Sequence, residues 1–143
     1  MKNRIVSTDI IHDASPRELE QLVRGYLSSN VLNVENKETL QNRKADRQTK
    51  SLLSYLFEGA RGSTNRLRIM LLLAERPLNA HQIAKGLGLD YNAIEHHIAI
   101  LEKNNMISRA GQRYGAMFFL STFLEVNIEA FNEIVRKFYK TWN

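Results

Sequence analysis

The chain has 143 residues with a hydrophobic share of 43% and a charged share of 24%, values of one globular domain rather than of a collagen-like or wholly disordered chain. It contains no cysteine, which excludes disulfides, thiolate metal sites and thiol redox chemistry. The net charge is +5, and the excess is concentrated in residues 43–76, where Arg43, Lys44, Arg47, Lys50, Arg61, Arg66, Arg68 and Arg76 face only Asp46, Glu58 and Glu75. Such a stretch suits a phosphate-facing surface, and equally a solvated helix face.

No apolar run is long enough to cross a bilayer, and the first residues lack the apolar block of a signal peptide, so the expectation is a cytoplasmic protein without membrane contact. Ile5, Val6, Ile10 and Ile11 suit a short strand or an extended arm. Ser15-Pro16-Arg17-Glu18 is a helix-start signature that predicts a helix from Pro16 to about Leu27. Residues 28–45 are polar and carry no clear period. From Asp46 a helical pattern returns, with Leu52, Leu53, Leu56 and Phe57 apolar, and it stops near Gly59–Gly62. Ser63 or Thr64 can cap the next helix, about Asn65 to Glu75. Leu67, Ile69, Met70, Leu71, Leu72, Leu73 and Ala74 make that helix apolar over a wide arc, as a central core helix must be.

Pro77 ends it. Asn79 is placed to cap a short helix, Ala80 to Leu87, Gly88 supplies a turn, and Asp90 caps a second helix from Tyr91 to about Asn104. In that second helix Ile94, Ile98 and Leu101 recur on one face. Met106–Ala110 and Tyr114–Ser121 then read as two strands joined through Gly111-Gln112-Arg113. Helix, glycine turn, helix and hairpin is the order of a winged helix-turn-helix, whose second helix enters the major groove of DNA. The expected fold is thus mainly α with a small β-hairpin wing: an amino-terminal extension with one helix over 1–45, a winged helix-turn-helix domain over 46–121, and a carboxy-terminal helix over 122–143.

The segment RLRIMLLLAERPLNAHQIAKGLGLDYNAIEHHIAILEKNNMIS, followed by RYGAMFFLS, resembles the ArsR-like winged-helix transcription regulators, especially archaeal members. The upstream SYLFEGARGSTNR is similar to what precedes this domain in those archaeal proteins. The resemblance covers about Ser51 to Ser121 and does not extend to residues 1–45. It implies a homodimer that binds double-stranded promoter DNA through its second helix and wing and regulates transcription. Glu95 departs from the pattern, because relatives commonly carry a small polar or basic residue there. An acid at that position either repels phosphate or accepts from a cytosine amino group.

The expected DNA-facing residues of the second helix are Tyr91, Asn92, Glu95 and His96, with Ala99 and Lys103 further along. Asn92 is the best base reader, since its amide can pair bidentately with adenine. His81 and Gln82 open the first motif helix and can reach backbone phosphate, Arg109, Gln112 and Arg113 line the wing, and Arg66 and Arg68 flank the site or form ion pairs within the protein. His97, beside the buried stripe, is expected to be packed and hydrogen-bonded; a metal pair with His96 is disfavoured because neighbours on a helix point about 100° apart. No cofactor is implied.

After the wing, Leu124, Ile128, Phe131, Val135, Phe138 and Trp142 recur at alternating spacings of four and three, a heptad seam. A partner helix across a two-fold axis would cover it; so would the amino-terminal helices of the same chain. The rival function is a winged-helix module that binds a protein of the transcription machinery. No paired acids, phosphate loop or hydrolase serine motif marks an enzyme.

Overall fold

The computed structural model describes residues 16–33, 44–112 and 115–141. The proposed arm at Ile5, Val6, Ile10 and Ile11, the Ser15 cap, and the site residues Arg113 and Trp142 lie outside them. Helix α1 (Pro16–Asn33) extends beyond the expected end at Leu27. It buries Leu19, Val23 and Tyr26, which recur at four and three residues on one face.

Asp46 accepts a hydrogen bond from the backbone N–H of Thr49 at 2.7 Å and so caps helix α2 (Arg47–Ser54). The helix widens into a π-helical turn over Tyr55–Gly59, closed by the Ala60 N–H to the Tyr55 carbonyl at 3.3 Å. Leu53, Leu56 and Phe57 point inward from this stretch and are fully buried. Helix α3 (Ser63–Glu75) begins earlier than expected, and its cap is Gly62 rather than Ser63 or Thr64. Gly62 has φ +85°, a left-handed conformation that favours glycine, and offers no side chain to the free amides of the first turn. Leu67, Ile69, Met70, Leu71 and Leu73 are buried around α3, which makes it the central helix.

Asn79 and Gln82 form a reciprocal capping box at the start of helix α4 (Ala80–Leu87), with 2.8 Å and 2.9 Å hydrogen bonds. Gly88, at φ +67°, turns the chain, and Asp90 caps helix α5 (Tyr91–Lys103). Strand β1 (Leu78–Asn79), which the sequence did not suggest, joins β2 (Ile107–Ala110) and β3 (Met117–Leu120) in an antiparallel sheet of order β1-β3-β2. Leu78 pairs with Phe118 on one side of β3, and Arg109 pairs with the same Phe118 on the other. Both hairpin strands are shorter than expected.

Ser121 caps helix α6 (Thr122–Val126), and the chain bends at Asn127 into helix α7 (Ile128–Lys140), so the final segment is two helices rather than one. α1 packs on α7 and on α3. Phe131 is central to this junction, edge-on to Tyr26 at 5.8 Å and to Phe57 at 5.3 Å. The Tyr26 hydroxyl donates to Asn132 Oδ1 at 2.6 Å, satisfying two polar groups inside an apolar seam. Burying a side chain of Phe131's size stabilises by roughly 1.5–3 kcal/mol.

That packing corrects the expected dimer seam. Leu124, Ile128, Phe131 and Val135 are buried within their own chain and Phe138 is half-buried. The period correctly marked a face that is covered, but the amino-terminal helix of the same chain contributes to the cover.

Candidate nucleic-acid interface

Helix α5 has two unlike faces. Ile94, Ile98 and Leu101 are buried against the core, while Asn92, Glu95, His96, Ala99 and Lys103 are exposed on the outside. The exposed positions are three or four residues apart and form one stripe. Asp90 Oδ2 accepts from the N–H groups of Asn92 at 3.0 Å and Ala93 at 3.4 Å, which fixes the start of the helix while the Asn92 amide side chain stays in solvent.

The first motif helix is tied to the second by rings. His81, exposed at the start of α4, stacks on Tyr91, half-exposed at the start of α5. Gln82 is also exposed, but its side-chain oxygen is committed to the capping box, so only its NH₂ group is left to face a ligand. On the wing side, a shallow cavity of about 230 Å³ lies between His81, Tyr91, Glu95, Arg109 and Phe118. The wing thereby borders the exposed stripe of α5.

Arg109 is on the surface but not unpaired. Its Nε and Nη2 donate to the two carboxylate oxygens of Glu102, each at 2.8 Å, and its guanidinium lies 5.0 Å from the centre of the Phe118 ring. The hydrogen bond to Glu102 raises the Arg109 pKa above its ordinary value. Glu102 was not among the sequence-derived candidates, because nothing in a seven-residue spacing across a helix and a strand reveals the pair. Gln112 is exposed at the hairpin tip next to Gly111, whose φ is +98°.

Two expected DNA-facing residues are corrected. Arg66 is 3% exposed and Arg68 is 2% exposed, so neither can reach a duplex. Arg66 donates from Nε to the Leu56 carbonyl at 3.0 Å and from Nη1 to the Arg61 carbonyl at 3.3 Å. Arg68 donates to Asn65 Oδ1 at 3.1 Å, to the Leu87 carbonyl at 2.9 Å and to Glu18 Oε1 at 2.9 Å. It thus links α1, α3 and the end of α4 from inside, through the ion pair that sequence reading had left as an alternative.

His97 is buried as expected, but its Nδ1 has no hydrogen-bond partner. Burial, with added repulsion from Arg66 and His96, lowers its pKa to about 4. Among the described residues no three His, Asp or Glu side chains gather as a metal site would require, and no helix is long and apolar enough to cross a membrane.

Residues 63–109 match the family model described as "Bacterial regulatory protein, arsR family", which spans α3 to the middle of β2. Over that span the chain is similar to the helix-turn-helix domain of that family. Among solved structures it is similar to reduced HlyU from Vibrio cholerae N16961, with 19% identity and a TM-score of 0.49 over 72% of this chain and 97% of that one. A probable transcriptional regulator from Pseudomonas aeruginosa shows 19% identity and a TM-score of 0.44 over 66% of this chain and 76% of that one. RV1404 from Mycobacterium tuberculosis shows 15% identity and a TM-score of 0.49 over 77% and 73%. No curated protein matches the sequence.

Proposed function

We propose that the protein is a sequence-specific transcription regulator that binds promoter DNA as a dimer, with α5 in the major groove and the wing on the flanking backbone. The observation that carries this reading is the division of α5: a helix held by its buried face, capped by Asp90 and stacked on the preceding helix, with Asn92, Glu95, His96 and Lys103 turned outward. In that reading Asn92 reads a base, Tyr91, His96 and Lys103 position the helix, and His81 and Gln82 meet phosphate. Glu95 is the specificity element, accepting from cytosine or rejecting other registers.

The wing acts through Arg109, Gln112 and Arg113, and Arg109 needs to exchange Glu102 for phosphate. A two-fold axis would set two copies of α5 about 34 Å apart, one turn of DNA. The likeness to archaeal regulators belongs to this proposal and rests on the stretch from Ser54 to Arg66.

Fluorescence anisotropy with the DNA upstream of the protein's own gene, against random duplex at two salt concentrations, tests it. Preference for the upstream DNA that persists at the higher salt and falls with Asn92→Ala or Arg113→Ala supports base readout. Equal binding to both duplexes, lost steeply with salt, removes specificity at that DNA. Absence of binding at either salt turns the reading toward a protein-interaction module. Light scattering of the protein alone and with duplex reads the dimer.

A further inference from the structure

On the flank of α5 away from the wing, a cleft of about 1130 Å³ opens between the π-helical turn, the start of α3 and α5. Its walls are cationic and polar: Arg61, Arg66, His96, His97 and Lys103 contribute to them. Asp90 is the single carboxylate among the lining residues, and it spends one oxygen on capping α5.

Two buried groups on this wall lack what their chemistry asks for. Arg66 is a permanently charged side chain at 3% exposure that donates to two neutral carbonyls, and no described carboxylate forms an ion pair with it. A guanidinium taken this far out of water without a counter-ion is unfavourable unless something negative joins it. His97, at 8% exposure, has an Nδ1 with no partner.

The two meet at one point. A Cβ added to Gly62 would stand 2.9 Å from His97 Cε1 and 3.0 Å from Arg66 Nη1, so the absence of a side chain there is what lets them approach. Gly62 is also the cap of α3, a 13-residue helix whose first amides receive no side-chain hydrogen bond from it. A cation without a carboxylate, an unsatisfied imidazole nitrogen and the positive end of a helix thus converge around Gly62, whose missing side chain lets Arg66 and His97 close over it.

We propose that this cleft binds a small acid, a molecule bearing a phosphate or carboxylate group held against the Arg66 and His97 wall as the counter-ion of Arg66. The His97 ring stands beside the anion on the same wall. Arg61 and Lys103 close over it from the rim, and the half-buried Asn104 and exposed Tyr55 give the remainder of the molecule polar and aromatic surface. The volume accommodates a metabolite-sized ligand. Because Ala93, His96, His97, Ile100 and Lys103 of α5 all line the cleft, an occupant bears directly on the helix that would enter DNA.

The proposal is tested on the full chain without DNA, so that its outcome is independent of duplex binding. Sodium phosphate and, separately, sodium succinate replace sodium chloride at constant ionic strength while the ring nitrogens of the histidines and Arg66 Nε are followed by NMR. The expected result is a saturable shift of His97 and Arg66 with at least one of the two anions, and none of the exposed His81 ring. The double variant Arg61→Gln, Lys103→Gln alters only exposed side chains; it should keep the melting temperature and weaken that binding about tenfold or more, as loss of charge-assisted hydrogen bonds does. No saturable shift up to about 50 mM of either anion, several orders of magnitude weaker than an ordinary specific site, overturns it. Undiminished binding in the double variant also overturns it.

Discussion

His81 and Tyr91 stack face to face across the helix-turn-helix, with ring centroids 4.4 Å apart and planes 22° from parallel. The contact joins the first turns of α4 and α5, the ends of both helices that border the wing. Tyr91→Ala should weaken duplex binding about two- to twelvefold, from about 0.5–1.5 kcal/mol of stacking that no longer holds the two helices in register. Tyr91→Phe should retain most of the affinity. An alanine variant with unchanged anisotropy titrations would remove the stack from the interface.

The Arg109–Glu102 pair predicts an effect readable from salt dependence. If Arg109 leaves Glu102 for a phosphate, Arg109→Ala should lower the slope of log affinity against log salt by about 0.9. Glu102→Gln removes the competitor and should tighten binding to random duplex at low salt. Titrations of the two variants at three salt concentrations check both signs, and equal slopes in all proteins would exclude the exchange.

Arg68 and Glu18 share an ion pair, but their burial differs: the side chains are 3% and 55% exposed. Arg68→Ala strands the Leu87 carbonyl and opens space inside the protein, so it should cost about 3 kcal/mol or more in urea unfolding. Glu18→Ala leaves the arginine its other two partners and should cost about 1 kcal/mol or less. The reverse order would contradict the internal role assigned to Arg68.

His97 gives the protein an acid-side weakness. Its folded pKa, about 4, is below the ordinary 6.5, because burial first and then Arg66 and His96 oppose its charge. Unfolded chains therefore bind the proton more readily. The stability linked to this group is complete above pH 6.5 and is lost as pH falls toward 4, by about 3 kcal/mol in total. His97→Gln should flatten the profile of unfolding free energy between pH 7 and 5 relative to the parent protein. Parallel profiles would show that the ring is not held neutral by its surroundings.

Gly62 and Gly88 both have positive φ, at +85° and +67°, but only Gly62 is crowded. Gly88→Ala places its Cβ in open space and should cost about 1–2 kcal/mol from backbone strain. Gly62→Ala adds contact with His97 and Arg66 to that strain and should cost about 2–4 kcal/mol. Thermal unfolding of the two variants ranks them directly.

What could be read from the sequence follows the range of the interactions. Asn79 with Gln82, and Asp90 with the amides that follow it, act within three residues, so the start of each motif helix was visible in the order of side chains. The same locality revealed the inward stripe Ile94, Ile98 and Leu101. Arg66 and Arg68 misled because charge normally marks a surface, and their acceptors include the backbone carbonyls of Leu56, Arg61 and Leu87, which only folding brings near. The stripe through Ile128, Phe131 and Val135 stated that a face is covered without stating by what. Strand β1 has two residues, too few for any alternation to register.

Tyr26 and Asn132, joined by one hydrogen bond, are 106 residues apart in the chain. During synthesis at about 5–20 residues per second, roughly 5–20 s pass between the appearance of the two. Through that interval Leu19, Val23 and Tyr26 have no α7 to settle on. The helix-turn-helix between them is made within that interval, so α1 can meet α3 before α7 exists, and the seam around Tyr26 closes only when the last helix arrives.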